Sequence, residues 1–239
     1  MNVPVLSDGA TLATTPRLSV IVPVLNEEAL IENTLLALQI FRTAGAELIV
    51  VDGGSTDSTM QRARPLADHT VKAVRGRAHQ MNVGADLASS AVLLFLHADT
   101  RLPQTALDVV LNALTISNRA WGRFDVMIDG PEKMLKVIAF LMNWRSRLSG
   151  IATGDQAIFV WRSDFFEVDG FPQLALMEDI EMSRRLGQIS PPICLSEKVV
   201  TSGRRWSKTG IWRTILLMWR LRLLYWFGVP AEKLAKQYR

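Results

Sequence analysis

Leu18-Ser19-Val20-Ile21-Val22-Pro23-Val24-Leu25-Asn26-Glu27-Glu28 decides how the chain is read. A β-branched apolar run without polar alternation predicts a strand buried on both faces. The acids at Glu27 and Glu28 predict a helix opening at Asn26-Glu27-Glu28, because carboxylates favour the positive amino end of a helix. Leu30, Thr34, Leu35, Leu38 and Phe41 then recur at helical spacing. The same unit returns downstream. Glu47 to Val51 predicts a second strand, stopped by Asp52-Gly53-Gly54, and Ser55-Thr56-Asp57 supplies caps for the next helix. Thr70 to Val74 and Ala91 to Leu96 predict a third and a fourth strand. Apolar strands alternating with amphipathic helices define an α/β fold with a mostly parallel sheet covered on both faces. In such sheets ligands bind beyond the carboxyl ends of the strands. Asn26, Asp52, His97 and Asp99 are therefore expected to share one site.

The second half is less regular. Trp121 to Ile128 predicts a strand, Glu132 to Leu148 a helix, Asp155 to Trp161 a strand, Met177 to Leu186 a helix and Ile193 to Val200 a last strand. No linker divides the chain. Its 239 residues, 49% apolar and 21% charged, suffice for one substantial core and exclude a disordered chain. The first sixteen residues lack the basic and apolar regions of a secretory signal and are expected to form a flexible tail, with a folded domain over 17–206. One cysteine, Cys194, excludes an intramolecular disulfide and a thiol-only metal site; such a residue is ordinarily a small buried apolar side chain.

Charge placement says more than net charge. With 27 Lys and Arg against 23 Asp and Glu the chain carries +4, yet six bases and no acid lie between Arg204 and Arg222. Without those six the balance is −2, so a nucleic-acid binder is not expected. Residues 207–239 are expected to form an amphipathic helical extension. Trp212, Leu216, Trp219, Leu223 and Trp226 recur at steps of four and three and form one stripe, with Arg213 and Arg220 beside it. Such a stripe packs on the core, meets a second copy, or lies on an anionic membrane surface. No run reaches the ~18 apolar residues of a membrane-spanning helix.

Several polar groups sit where chemistry needs them. Asp99 leaves an apolar strand and would hold Mg²⁺ or Mn²⁺ together with substrate phosphates, unless it caps a helix starting in Thr100 to Thr105. Asp52 ends a buried strand before a glycine pair, a binding position; Asp57 fits the first turn of a helix. Arg75-Gly76-Arg77 precedes a helix and suits a diphosphate, or is a solvated basic loop. Glu178, Asp179 and Glu181 put three acids in one turn, which a helix amino end favours by itself; because they follow Leu174-Ala175-Leu176-Met177, at least one carboxylate is alternatively expected in a cleft, where it can act as a general base. Gly154-Asp155-Gln156 is a second polar turn.

Taken in order, Ile21 to Glu28, Val51 to Asp57, Arg77…Asn82-Val83-Gly84, His97-Ala98-Asp99 and Glu178-Asp179 resemble the inverting family 2 glycosyltransferases of GT-A fold. The likeness runs from about Leu18 to Trp206 and, through Gly76 to Asn82 and Ser202 to Trp206, looks most like a small bacterial stand-alone branch. The resemblance implies a nucleotide-sugar donor, usually uridine, bound at Pro23, Asn26, Glu27, Asp52, Arg77, His97 and Asp99. It makes Asp99 the metal ligand with Mg²⁺ or Mn²⁺, Asp179 the catalytic base with Glu178 beside it, and Gly154, Asp155, Gln156, Arg205 and Trp206 the acceptor side. His97 stands where the family has its first motif acid, and no glutamine matches the element before Arg205-Trp206, which argues against long-chain polymerisation. The implied location is cytoplasmic, at the inner face of the membrane if the stripe lies there, with a membrane lipid as one possible acceptor. A nucleotidyltransferase would want a Lys-containing glycine loop after the first strand, and a dinucleotide oxidoreductase a Gly-x-Gly-x-x-Gly; neither is present. A non-catalytic module that kept the fold is the competing reading.

Overall fold

A computed structural model describes residues 16–238, apart from the side chains of Arg205, Ser207 and Lys208; the expected tail over 1–16 lies almost entirely outside the described residues. The strands are β1 (Leu18–Val24), β2 (Ala46–Asp52), β3 (His69–Lys72), β4 (Val92–Phe95), β5 (Thr100–Arg101), β6 (Trp121–Asp129), β7 (Phe159–Trp161) and β8 (Ile193–Ser202). Between and after them run α1 (Ile31–Thr43), α2 (Thr59–Ala63), α3 (Arg77–Leu87), α4 (Ala106–Ser117), α5 (Met134–Ser149), α6 (Arg162–Glu167), α7 (Glu178–Ile189), α8 (Arg204–Thr209), α9 (Ile211–Trp226) and α10 (Ala231–Tyr238).

One eight-stranded sheet has the order β3-β2-β1-β4-β7-β6-β8-β5. Its first four strands are parallel; β7 then runs antiparallel to both β4 and β6, β8 is parallel to β6, and β5 pairs antiparallel with β8. β1 lies between β2 and β4, so chain order reverses there and a crevice opens beyond the strand ends. Every residue of β2 and β4 is buried, as a strand covered on both faces requires. One core packs Val20, Leu35, Leu48 and Leu94 beneath α1 and α4; the other packs Ile21, Ile49, Met81 and Phe95 beneath α3. Gly84 allows α3 to lie close, since a Cβ there would come 2.4 Å from Ile21 Cγ2.

Three expected boundaries are corrected. Asn26-Glu27-Glu28 does not open α1, which starts at Ile31, because Glu28 is tied across to the loop after β2. The helix expected within Thr100 to Thr105 starts later, at Ala106 with Thr105 as its cap residue; Thr100 and Arg101 pair with β8, so Asp99 is not a helix cap. Asp155 to Trp161 is not one strand; Gly154–Gln156 forms a 3₁₀ turn, and pairing starts only at Phe159. Periodicity also missed a buried polar brace. Arg123 is fully buried and pairs with Asp125, which Arg147 clasps through two bonds of 2.6 and 3.0 Å. Asn143 of α5 donates to Val126 O and accepts from Val126 N, fixing α5 against β6.

Candidate active site

The loops after β1 and β2 are laced together. Asn26, in the left-handed region at φ 54°, accepts from the Thr56 N–H at 2.9 Å, and its own N–H donates to Ser55 Oγ. Asp52 is fully buried and accepts from the Ser55 N–H at 2.9 Å and from Ser55 Oγ at 2.5 Å. Beneath them Gln80 of α3 donates to Val24 O and Val51 O, clamping the ends of β1 and β2 at their last turns. Pro23 lies within β1 and is half-buried there. Sequence reading passed over Gln80; its signal was a buried polar residue on the inner face of α3.

Glu27 and Asp99 face each other across Arg204, whose Nη2 lies 3.6 Å from Glu27 and 3.9 Å from Asp99. Burial raises the pKa of Glu27, Arg204 opposes that rise, and Asp99 adds to it. His97 does not complete a metal set with Asp99. Its Nδ1 lies 3.3 Å from Asp155, and its Nε2 is buried against Gly154. Among the described residues no group of three His, Cys, Asp or Glu is arranged to hold a metal alone. The donor set still fits Mg²⁺ or Mn²⁺, which such sites bind through one or two carboxylates together with substrate phosphates. Asp99 is 31% exposed, and Glu27 stands across Arg204 from it.

Glu178 and Asp179 open α7, beyond the same edge. Met177 precedes them in the left-handed region at φ 70°, and both Met177 and Glu178 are buried. A non-glycine residue there carries strain of about 1–2 kcal/mol, which surrounding packing must offset. Leu221 and Leu234, both fully buried, supply it by packing with Leu176 and Met177, so α9 and α10 support the turn. Leu221→Ala is expected to cost about 2–4 kcal/mol in chemical denaturation and to impair chemistry more than donor binding.

Glu178 is buried and accepts from Arg77 Nη1 at 3.1 Å, while Arg77 keeps 47% of its side chain exposed. Burial works against the Arg77 charge, but Glu178, Tyr238, Asp155 and Asp179 outweigh it, and its pKa is raised. Asp179 accepts from the Gly154 N–H at 3.0 Å and from its neighbour Ile180 at 2.8 Å. Burial first, then repulsion by Glu178, push its pKa up to about 6, against the Gly154 bond and Arg77. Gly154 is required by space: a Cβ would meet His97 Nε2 at 2.4 Å. Thr153 and Gln156 cap the 3₁₀ turn reciprocally and hold that N–H on Asp179.

Nearby, Arg145 of α5 lies in the field of Asp179 with its Nε and Nη2 buried and without a hydrogen-bond partner; burial lowers its pKa. Neither Arg145 nor Arg204 was singled out as a site residue from sequence. Arg204 stands one residue before the expected Arg205, whose side chain lies outside those described, and Trp206 packs against the Ile128, Leu135 and Ile138 cluster.

The sheet that reverses at β1, with polar loops beyond its carboxyl edge, is that of the GT-A fold, and the family match makes the chain a glycosyltransferase. The chain belongs to glycosyl transferase family 2, whose model matches residues 19–167. PGL/p-HBAD biosynthesis glycosyltransferases of Mycobacterium bovis and Mycobacterium tuberculosis are 36% identical over 94 residues, covering 36% of this chain and 37% of theirs. The matched part therefore spans little more than a third of those relatives. S. aureus TarS 1–349 in complex with UDP-GlcNAc superposes with a TM-score of 0.61 at 21% identity, covering 77% of this chain and 58% of that one. Mannosyltransferase PcManGT from Pyrobaculum calidifontis, in complex with GDP-Man and Mn²⁺, gives 0.61 at 23% identity, covering 88% and 61%.

Proposed function

We propose that the protein transfers a glycosyl group from a nucleoside-diphosphate sugar, a uridine one, to an acceptor hydroxyl with inversion. One observation carries the reading: Asp179 is desolvated, pinned by the Gly154 N–H, and shares the carboxyl edge of the sheet with Asp52, Arg77 and Asp99. Asn26, Glu27 and Asp52 frame the nucleoside side. Arg77 and Arg204 offer guanidinium groups to the diphosphate, where charge grows as the sugar leaves. The acceptor oxygen attacks the anomeric carbon from the opposite side, its proton passes to Asp179, and the carbon–phosphate-oxygen bond breaks toward the diphosphate. Asp99 would hold Mg²⁺ or Mn²⁺, which, when bound, stabilises negative charge on the diphosphate. Glu178 acts on Arg77, holding it in place. The acceptor side is assigned to Gly154 and Asp155, next to Asp179, with the fully buried Gln156 holding their turn. TarS with UDP-GlcNAc and PcManGT with GDP-Man and Mn²⁺ support the donor class and the metal.

The pH dependence tests the base. A base must be unprotonated to act, and a pKa raised to about 6 places the acid limb there rather than near 4. Release of the nucleoside diphosphate should be flat above that point and fall about tenfold per pH unit below it. A limb below pH 4.5, or none, would contradict the role of Asp179.

A further inference from the structure

The tryptophan stripe of α9 does not pack on the core. Trp212, Trp219 and Trp226 are 68%, 75% and 81% exposed, while Thr214 and Leu221 on the opposite side are buried. A second stripe escaped the sequence reading. On α5, Val137, Phe140, Leu141, Trp144 and Leu148 are exposed at helical spacing, Trp144 by 56%, whereas Leu135, Ile138 and Ala139 are buried. The two helices adjoin, because Ile211 and Ile215 of α9 pack against the cluster formed by Leu135, Ile138 and Ala139.

We propose that α5 and α9 together form a face that seats on an anionic lipid bilayer. Charge selects this occupant. The sequence carries no acid from Lys198 to Ala231 or from Lys133 to Gly154, and Lys133, Lys136, Arg213 and Arg220 are exposed. Aromatic and aliphatic side chains with basic borders suit the boundary between headgroups and acyl chains. Insertion across the bilayer is not the mode: among the described residues no helix is long and apolar enough to span one. A two-fold dimer through the same face would set these bases against themselves, and neither α5 nor α9 carries an acid to pair them. The inner side of α9 supports Met177, so docking brings the bilayer up behind the helix that holds Glu178 and Asp179 in place. A transferase so held meets acceptors borne by lipids. That narrowing of the acceptor rests on the transfer reading; the docking does not.

The test is sedimentation of the full chain with phosphatidylcholine vesicles, with and without phosphatidylglycerol. Binding is expected only with phosphatidylglycerol, weakening as salt rises. Trp219→Ser with Trp226→Ser, and separately Phe140→Ser with Trp144→Ser, should each weaken it by about tenfold or more. Both variants change exposed residues only, so unchanged melting temperature and circular dichroism confirm that they fold. Absence of vesicle binding by the parent protein overturns the proposal. So does a concentration-dependent dimer in light scattering that the same variants abolish. Loss through the α9 pair alone overturns the two-helix face. Nucleoside diphosphate binding, measured in parallel without vesicles, should be unchanged in both variants; vesicle binding with no nucleotide binding would retain the docking and reject the donor site.

Discussion

Asp179→Asn is expected to slow glycosyl transfer by about 10²–10⁴-fold while leaving donor affinity within about twofold. The amide keeps an oxygen for the Gly154 N–H, so the turn at Gly154–Gln156 stays in place; the proton acceptor and the bond from the Ile180 N–H are lost. A stability change of defined sign accompanies the loss. The pKa of Asp179 is raised in the folded protein, so folding favours the protonated carboxyl; that contribution is complete below the ordinary value of 3.8 and is lost as pH rises through about 6. Above that pH the charged, desolvated carboxylate opposes folding by at most about 3 kcal/mol. Asp179→Asn should therefore melt higher than the parent at pH 7.5 and level with it near pH 3.5. Normal turnover would remove Asp179 from the base role, and a lower melting temperature at pH 7.5 would show that the carboxylate is not desolvated as described.

Asp99→Ala should weaken Mn²⁺-dependent binding of a nucleoside diphosphate by about 10–100-fold, with little change when Mn²⁺ is withheld. The asymmetry follows from what surrounds Asp99. Its carboxylate is a third exposed, and its near neighbours are Glu27 and the Arg204 guanidinium. Without Asp99, Arg77 and Arg204 still meet the diphosphate, so metal-free affinity persists. If affinity in Mn²⁺ were unchanged, Arg204 rather than a metal held by Asp99 would be the cation of the site. Arg204→Met then becomes the variant that loses donor binding.

The parallel half of the sheet was legible because a strand covered on both faces must be an unbroken apolar run. β1, β2 and β4 read that way, and the polar residues at their ends do gather at one edge. Local rules failed where a partner distant in sequence outcompeted them. Glu27 and Glu28 look like a first helical turn, but Thr59, Asp57 and Ser58 bind them from the neighbouring loop. Thr100 looks like the start of a helix, but β8 pairs with it and Thr201 accepts its hydroxyl hydrogen bond at 3.1 Å. In α9 the period gave the stripe and not its direction. Spacing alone cannot distinguish a stripe turned to the core from one turned outward, and in α9 the side turned inward carries Thr214 and Leu221 instead. Gln80 lies within the Gly76 to Asn82 run, but nothing in that run marks it as a clamp, and Arg145 belongs to no motif; both stand out through burial, which only the folded chain displays.

Calorimetric titration tests the donor site most directly: UDP, GDP, CDP and NAD added to the full chain, each with and without Mn²⁺. Mn²⁺-dependent binding of UDP is the predicted result. GDP binding in its place would keep the transferase and change the donor. Folded protein that binds no nucleoside diphosphate would contradict the central claim and leave a module that has kept the fold without the chemistry.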